Sequence, residues 1–336
     1  MTDAGLTVAV TGPTGTFGFG LVPLLQDEQR VDRIVGIARR PFDPPAHGWS
    51  KMEYRQGDVR DAAALREAFE DADVVVHLAF MITGTASRET IRSINVEGTL
   101  NAFRAAAACG VERFVYASSV AAYGFHPDNP IGMSEDWPVR PAARLFYAQE
   151  KAELERLLNE EAQANPGVAL YLLRPPIVLG PHAVGAKEAL PAPLGALVGR
   201  ALELAGSLPV PIPVPATDLP LQLIHEEDVG SALLACVLAD GPPGAYNVAA
   251  DGTVTVADAV RELGLTPVTF PSGLVQGAAR AASLIPLPPF APPASEWIEA
   301  ATHPAIMDTS KAKRELGWRP RHTALETLRS TLRTAE

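Results

Sequence analysis

The chain has 336 residues, 47% hydrophobic and 20% charged, with a formal net charge of −11. That length suits one two-lobed unit or two unequal domains, and the negative charge disfavours nucleic acid and anionic membranes as partners. Cys109 and Cys236, the two cysteines, sit in apolar helical surroundings and read as packing residues rather than a disulfide or metal pair, so no metal site is expected. No uninterrupted apolar run approaches the length of a membrane span, and Met1 to Ala9 lacks a basic, apolar leader; the expectation is a soluble cytoplasmic protein.

In chain order, a β-branched run over 6–11 leads into Gly12, Gly15 and Gly18 and then an apolar helical pattern. Strand, glycine turn and helix is the context in which such glycines serve a dinucleotide: a tight turn, a close approach to pyrophosphate, and close helix–strand packing. The helix N-terminus adds free N–H groups and a positive dipole end. A second strand over 33–38 ends at Ala38, followed by Arg39 and Arg40. An acid at this strand end binds the ribose 2′-hydroxyl of NAD, whereas arginine accommodates a 2′-phosphate, so NADP(H) is favoured, with NAD still possible.

Strands follow near 52–56, 73–78 and 112–117, the last ending in Ser118 and Ser119. Hydroxyls at the carboxyl end of a parallel strand lie where open α/β sheets bind ligands. In RLFYAQEKAELERLL, Tyr147 and Lys151 fall four apart on a helix and share one face. A phenol with a reference pKa of ~10 is a poor acid or base at neutral pH, and a nearby ammonium lowers it. A sixth strand near 168–174 completes a β/α alternation that implies a doubly wound parallel sheet. Past Gly180 proline becomes dense, in SLPVPIPVPATDLP and IPLPPFAPPAS, which suits the loops of a smaller lobe. QLIHEEDVGSALLACVLAD is expected to return to the main sheet before AYNVAA.

Together these segments resemble the extended short-chain dehydrogenase/reductase family, the NAD-dependent epimerases, dehydratases and 3β-hydroxysteroid dehydrogenases. TGPTGTFG is similar to the family's TGxxGxxG; GDVRD resembles its adenine-contacting segment and VVVHLA the strand beneath the cofactor. NVEGTLN, SSVAAYG, YAQEK, LRPPIVLGP, QLIHEEDV and MDTSKAKRELGW follow in the family's order. The resemblance implies a Rossmann-like nucleotide domain over 1–178, with a return segment at about 222–250, and a substrate lobe from 179–221 and 251–336. It implies that Ser119, Tyr147 and Lys151 are catalytic. It also implies cofactor contacts at Gly12, Thr14, Gly15, Thr16, Phe17, Gly18, Arg39, Arg40, Asp58, Val59, Leu78, Ala79 and Phe80. Further cofactor contacts are implied at Asn95, Ala117, Tyr147, Lys151, Pro175 and Ile177, with Asn95 anchoring the local helix and a water.

Departures from the sugar-nucleotide branch point to the substrate. Ile177 stands where many epimerases carry a phosphate-binding Asn, and Lys187 and Arg200 are the only basic residues between His182 and Leu223. A diphosphate needs charge-assisted partners. Ser119-Val120-Ala121 also lacks the carboxylates of the sugar dehydratases. Phe80, Met81, Ile82 and Phe125 instead suit an uncharged, apolar small molecule. The expected activity is hydride transfer between NADP(H) and an apolar alcohol/ketone; the alternatives are a nucleotide-sugar 4-epimerase and a non-catalytic cofactor-binding regulator. His126 and His225 are expected to be structural. Ile91, Ile94, Leu100, Phe103, Leu154 and Leu158, on helices that pair subunits in related enzymes, suggest a homodimer.

Overall fold

A computed structural model of the chain describes residues 5–82, 86–183, 213–216, 218–262, 265–269 and 303–333. Eleven strands are described: β1 (Leu6–Thr11), β2 (Val31–Ala38), β3 (Met52–Gln56), β4 (Val74–His77), β5 (Arg113–Ala117), β6 (Ala169–Arg174), β7 (Ile177–Leu179), β8 (Pro213–Ala216), β9 (Leu223–His225), β10 (Gly244–Asn247) and β11 (Thr266–Thr269). Seven of them form one parallel sheet in the order β10-β6-β5-β4-β1-β2-β3. The six strands expected before residue 175 are all present, with ends moved by no more than two residues. Valine-rich β1 and β4 can sit at the centre because both faces of a parallel sheet are covered by helices, where β-branched side chains pack well.

The helices are α1 (Thr16–Asp27), α2 (Ala62–Phe69), α3 (Arg88–Arg92), α4 (Gly98–Ala108), α5 (Phe146–Ala164), α6 (Glu226–Val237), α7 (Val256–Glu262), α8 (Ser310–Glu315) and α9 (Ala324–Arg333). Alternation along β1 assigns its residues to two cores. Val8 and Val10 join Leu21 and Leu25 of α1 and Val229 and Leu233 of α6, whereas Ala9 joins Leu65 of α2, Phe103 of α4 and Leu154 of α5. Four of the six apolar residues expected at a dimer face (Ile94, Phe103, Leu154 and Leu158) are buried in this second core, leaving Ile91 and Leu100 part-exposed. Among the described residues no helix is long and apolar enough to cross a membrane.

Two expectations past β6 change. The segment at 222–250 does return to the main sheet, but through α6 and β10, which adds beside β6; β9 pairs instead with β7 in a separate two-stranded sheet. Pro175 and Pro176 explain the break, since neither offers an N–H to continue the ladder beyond Arg174. Within the first proline-dense stretch, 213–216 is a strand paired with β11 rather than loop. Pro213 and Pro215 alternate, so both missing donors fall on one edge. Residues 207–212 and 217 of that stretch, Lys187, Arg200 and IPLPPFAPPAS lie outside the described residues.

α1 and α6 cross at unusually close range. A Cβ on Gly20 would stand 2.1 Å from the Glu226 carbonyl oxygen, and one on Gly230 would stand 2.0 Å from the Gly20 carbonyl oxygen. Both obstacles are backbone, so neither side can yield locally. Gly230→Ala should therefore destabilise the fold by about 1–3 kcal/mol, although alanine is the better helix former. Thermal melting followed by circular dichroism should show a midpoint several degrees lower. An unchanged midpoint would mean that the helices do not approach this closely.

Candidate active site

The glycine turn lies at the carboxyl ends of β1 and β4, where the strand order reverses direction and open α/β sheets bind ligands. Gly12 has φ +68°, and an added Cβ would meet the Ala79 backbone nitrogen at 2.9 Å, so this position needs glycine on two counts. At Gly18 a Cβ would clash with the Pro13 carbonyl oxygen at 2.0 Å. Gly15 differs: among the described residues its added Cβ would touch only the Gly12 oxygen, at an ordinary 3.5 Å, so their packing leaves the space over it open. α1 begins there with no side-chain cap and no acid in its first turn, leaving the helix end suited to an anionic phosphate. Thr16 Oγ1 donates to the His182 carbonyl (2.9 Å), tying this turn to the chain beyond β7.

Ser118 and Ser119 end β5 and diverge. Ser118 donates to the buried Glu155 carboxylate (2.5 Å), which Arg174 also engages through Nε and Nη2 (2.9 and 2.5 Å). Ser119 accepts from the Ala121 N–H (3.1 Å) and hydrogen-bonds Tyr147. Two adjacent serines are thereby separated into one that braces the β5–β6–α5 junction and one that faces the Tyr147 hydroxyl.

Tyr147 and Lys151 lie on the first turns of α5 and converge on Phe80, just past β4. The Tyr147 ring stands edge-on to the Phe80 ring (centroids 5.7 Å apart), and Lys151 Nζ lies 3.6 Å from the Phe80 centroid. The ammonium is directed to the Ala117 carbonyl (2.7 Å) and the Tyr116 hydroxyl (3.1 Å), and it lies 5.8 Å from the Tyr147 ring centre. Burial pushes the Tyr147 phenol up to about 12 against the lowering effect of Ser119, and brings the Lys151 ammonium down to about 7. Shared helix face therefore did not translate into a depressed phenol: desolvation outweighs proximity. Phe80, expected as a cofactor contact and as part of an apolar pocket, is the surface on which both side chains meet.

Behind the pair, Ser93–Glu97 forms one turn of π-helix between α3 and α4. It lets Asn95 point inward, where its amide donates to the Met81 carbonyl (2.9 Å) and Glu150 Oε2 (2.7 Å) and its oxygen accepts from the Met81 N–H (2.7 Å). Both amide protons are thus taken, so the Asn95 side chain anchors the helix, as expected, but has no donor left for a cofactor. Thr99 donates to the Asn95 carbonyl (2.5 Å) and bonds His77 Nε2 (2.9 Å), while Thr11 bonds His77 Nδ1 (2.9 Å). This chain ties β1, β4 and the bulge together.

Arg39 and Arg40 are exposed at the end of β2, their carbonyls held by the Gln56 amide (2.9 Å) and the Tyr54 hydroxyl. Asp58, nearby, is paired with Arg60 (3.0 and 2.7 Å), which holds its carboxyl below the usual range. Val59 is buried beneath Gly98, Leu78 and Ala79 form the wall opposite Gly12, and the Pro175 carbonyl accepts from Val120. Ile177 is 49% exposed and Ile82 57% exposed. His126 Nε2–H donates to the Arg140 carbonyl (2.6 Å) and His225 caps α6, structural positions in both cases. One grouping escaped the sequence reading. His225, Glu227 and His322 bring ligand-type atoms within 4.8 Å of one another, but a hydrogen bond (His322 Nε2 to Glu227, 3.2 Å) and the helix cap account for their contacts.

Known proteins share this framework. The chain is 28% identical over 325 residues to an uncharacterized protein of Sinorhizobium fredii, covering 94% of this chain and 75% of the relative. It is 32% identical over 192 residues to 3 beta-hydroxysteroid dehydrogenase/Delta 5-->4-isomerase of Mycobacterium tuberculosis, covering 54% of this chain and 50% of that protein. The structure of UDP-glucose 4-epimerase with UDP-glucose from Thermotoga maritima superposes with a TM-score of 0.72 at 19% identity, covering 98% of each chain, a likeness of fold. The model of the NAD dependent epimerase/dehydratase family matches residues 8–249, from the first strand to just past β10. The protein is an NAD(P)-dependent oxidoreductase belonging to the NAD dependent epimerase/dehydratase family.

Proposed function

We propose that the protein prefers NADP(H) and interconverts an apolar secondary alcohol and its ketone, with Ser119, Tyr147 and Lys151 as the catalytic set. The observation that carries this reading is the convergence of the Ser119 and Tyr147 hydroxyls beside the Phe80 ring, with the Lys151 ammonium beneath it. The open space over Gly15, the uncapped start of α1 and the exposed Arg39 and Arg40 fit a dinucleotide carrying a 2′-phosphate. The nicotinamide supplies two-electron redox chemistry when bound. Tyr147 is a neutral phenol across the physiological range, which equips it to donate a proton to a carbonyl oxygen as that oxygen gains charge. Ser119 hydrogen-bonds the same oxygen and orients it, and Lys151 stabilises the phenolate left behind. Ile82 and Ile177, exposed beyond β4 and at the start of β7, suit an apolar substrate and offer nothing to a diphosphate.

The substrate lobe at 179–221 and 251–336 belongs to this proposal, as does a homodimer. The dimer rests on Ile91 and Leu100, the part-exposed remainder of the six apolar positions. A concentration-independent monomer mass by light scattering would remove it.

For the cofactor, NADPH should bind more tightly than NADH in nicotinamide-fluorescence titrations, and Arg39→Ala should weaken NADPH selectively. Equal affinities in the wild type would overturn the preference. Since Lys151 sheds its proton as pH rises through about 7, NADPH affinity should fall between pH 6 and 8.5. Lys151→Met should bind weakly throughout and lose that pH dependence.

For the chemistry, Tyr147→Phe removes one hydroxyl and should cut turnover roughly 10²–10⁴-fold while cofactor binding survives. The panel is apolar ketones and secondary alcohols alongside UDP-sugars, with net NADPH consumption recorded. Wild-type turnover in Tyr147→Phe refutes the mechanism; turnover of a UDP-sugar alone, with no net cofactor change, refutes the substrate class.

A further inference from the structure

We propose that Glu150 is a positioning residue for Lys151: its buried carboxylate is the counter-charge that holds the lysine as an ammonium. The inference rests on Lys151 being the working lysine of the site. Glu150 is 1% exposed and precedes Lys151 on α5. Oε2 accepts from Asn95 (2.7 Å), and Oε1 has no hydrogen-bond partner among the described residues. An orphaned buried carboxylate oxygen is costly, and a neutral residue would satisfy Asn95 equally well. Burial raises the Glu150 carboxyl above its usual range, so a negative charge kept there calls for a purpose.

Charge around Lys151 supplies one. Its direct partners, the Ala117 carbonyl, the Tyr116 hydroxyl and the Phe80 face, are all neutral. From β4, His77 faces it as a neutral imidazole, and from α5 itself Tyr147 is a neutral phenol. The anions acting on the ammonium are Glu150 and Glu155, both on α5. Glu155 is saturated by the Arg174 guanidinium and the Ser118 hydroxyl, so its field is largely cancelled. The cation facing Glu150 from α3, Arg92, is engaged at both ends of its guanidinium by Glu153 (2.7 and 2.6 Å). Glu150 is thus the anion near Lys151 with no cation of its own. Asn95 fixes where that charge sits, and the bulge fixes Asn95.

Lysine-labelled ¹³C NMR tests this without a substrate. The chain has five lysines, and the resonance missing in Lys151→Met identifies the one of interest. In the wild type its titration midpoint should lie near about 7. Glu150→Gln, which keeps the acceptor for Asn95 and removes the charge, should move the midpoint down by roughly one pH unit or more; Glu150→Asp should keep most of it. An unmoved midpoint in Glu150→Gln overturns the proposal, because a structural staple would lose stability without shifting Lys151. Should that variant not fold, the wild type alone decides. Protonation of Glu150 on acidification should produce a second, smaller inflection in the Lys151 resonance, and its absence also overturns the proposal. The underlying reading fails separately, if Lys151→Met retains wild-type NADPH affinity and turnover.

Discussion

The hydrogen bonds running from β1 to the bulge before α4 have a fixed direction, and the site is built on them. Thr99 gives its proton to the Asn95 carbonyl, so its oxygen must receive from His77 Nε2–H. His77 Nδ1 is then the lone-pair end and accepts from Thr11, whose oxygen in turn accepts from the Ala79 N–H (3.2 Å). One tautomer satisfies every member, and burial depresses the His77 imidazole to about 3, so it does not charge in any ordinary buffer. The turn that faces the dinucleotide and the bulge that carries Asn95 are therefore clamped to one frame. Asn95 passes that constraint to Glu150, and α5 passes it on to Lys151 and Tyr147.

Within this frame the chemistry is distributed by desolvation. The same apolar surroundings push the phenol and the ammonium in opposite directions, one toward holding its proton and the other toward losing it. In the proposed reaction that arrangement suits donation from Tyr147, because the neutral form is the donor and the nearby cation gains strength as phenolate charge develops. Phe80 contributes an apolar ring beside both side chains, its face toward Lys151 and perpendicular to the Tyr147 ring, and offers no competing hydrogen bond.

What could be read in the sequence was local and periodic. The strands before residue 175 are apolar, β-branched and separated by helical patterns, and the glycine spacing carries its own steric reason at Gly12 and Gly18. Tyr147 and Lys151 were visible because helical spacing is regular. What escaped depends on distant segments meeting. Gly20 and Gly230 lie far apart in sequence, and their need for glycine appears only where α1 crosses α6. Glu150 lies on a charged helix, and nothing nearby in sequence signals that Asn95 will reach it. The Tyr147 shift was misjudged for a related reason: spacing shows which charges are close, whereas burial, set by Phe80 and the strand ends, decided the sign.

The loop after β2 shows how an inference from composition gains physical content from packing. Arg39 and Arg40 on a mobile loop would be ordinary solvated side chains. Here their carbonyls are held by Gln56 and Tyr54 of β3, so the backbone is set while both guanidiniums stay in solvent. Ordering that loop costs a ligand little, since the entropy has been lost in folding. Asp58, whose carboxyl feels the Arg39 charge, is already paired with Arg60. The proposed preference for a 2′-phosphate thus rests on two exposed guanidiniums presented from a braced edge.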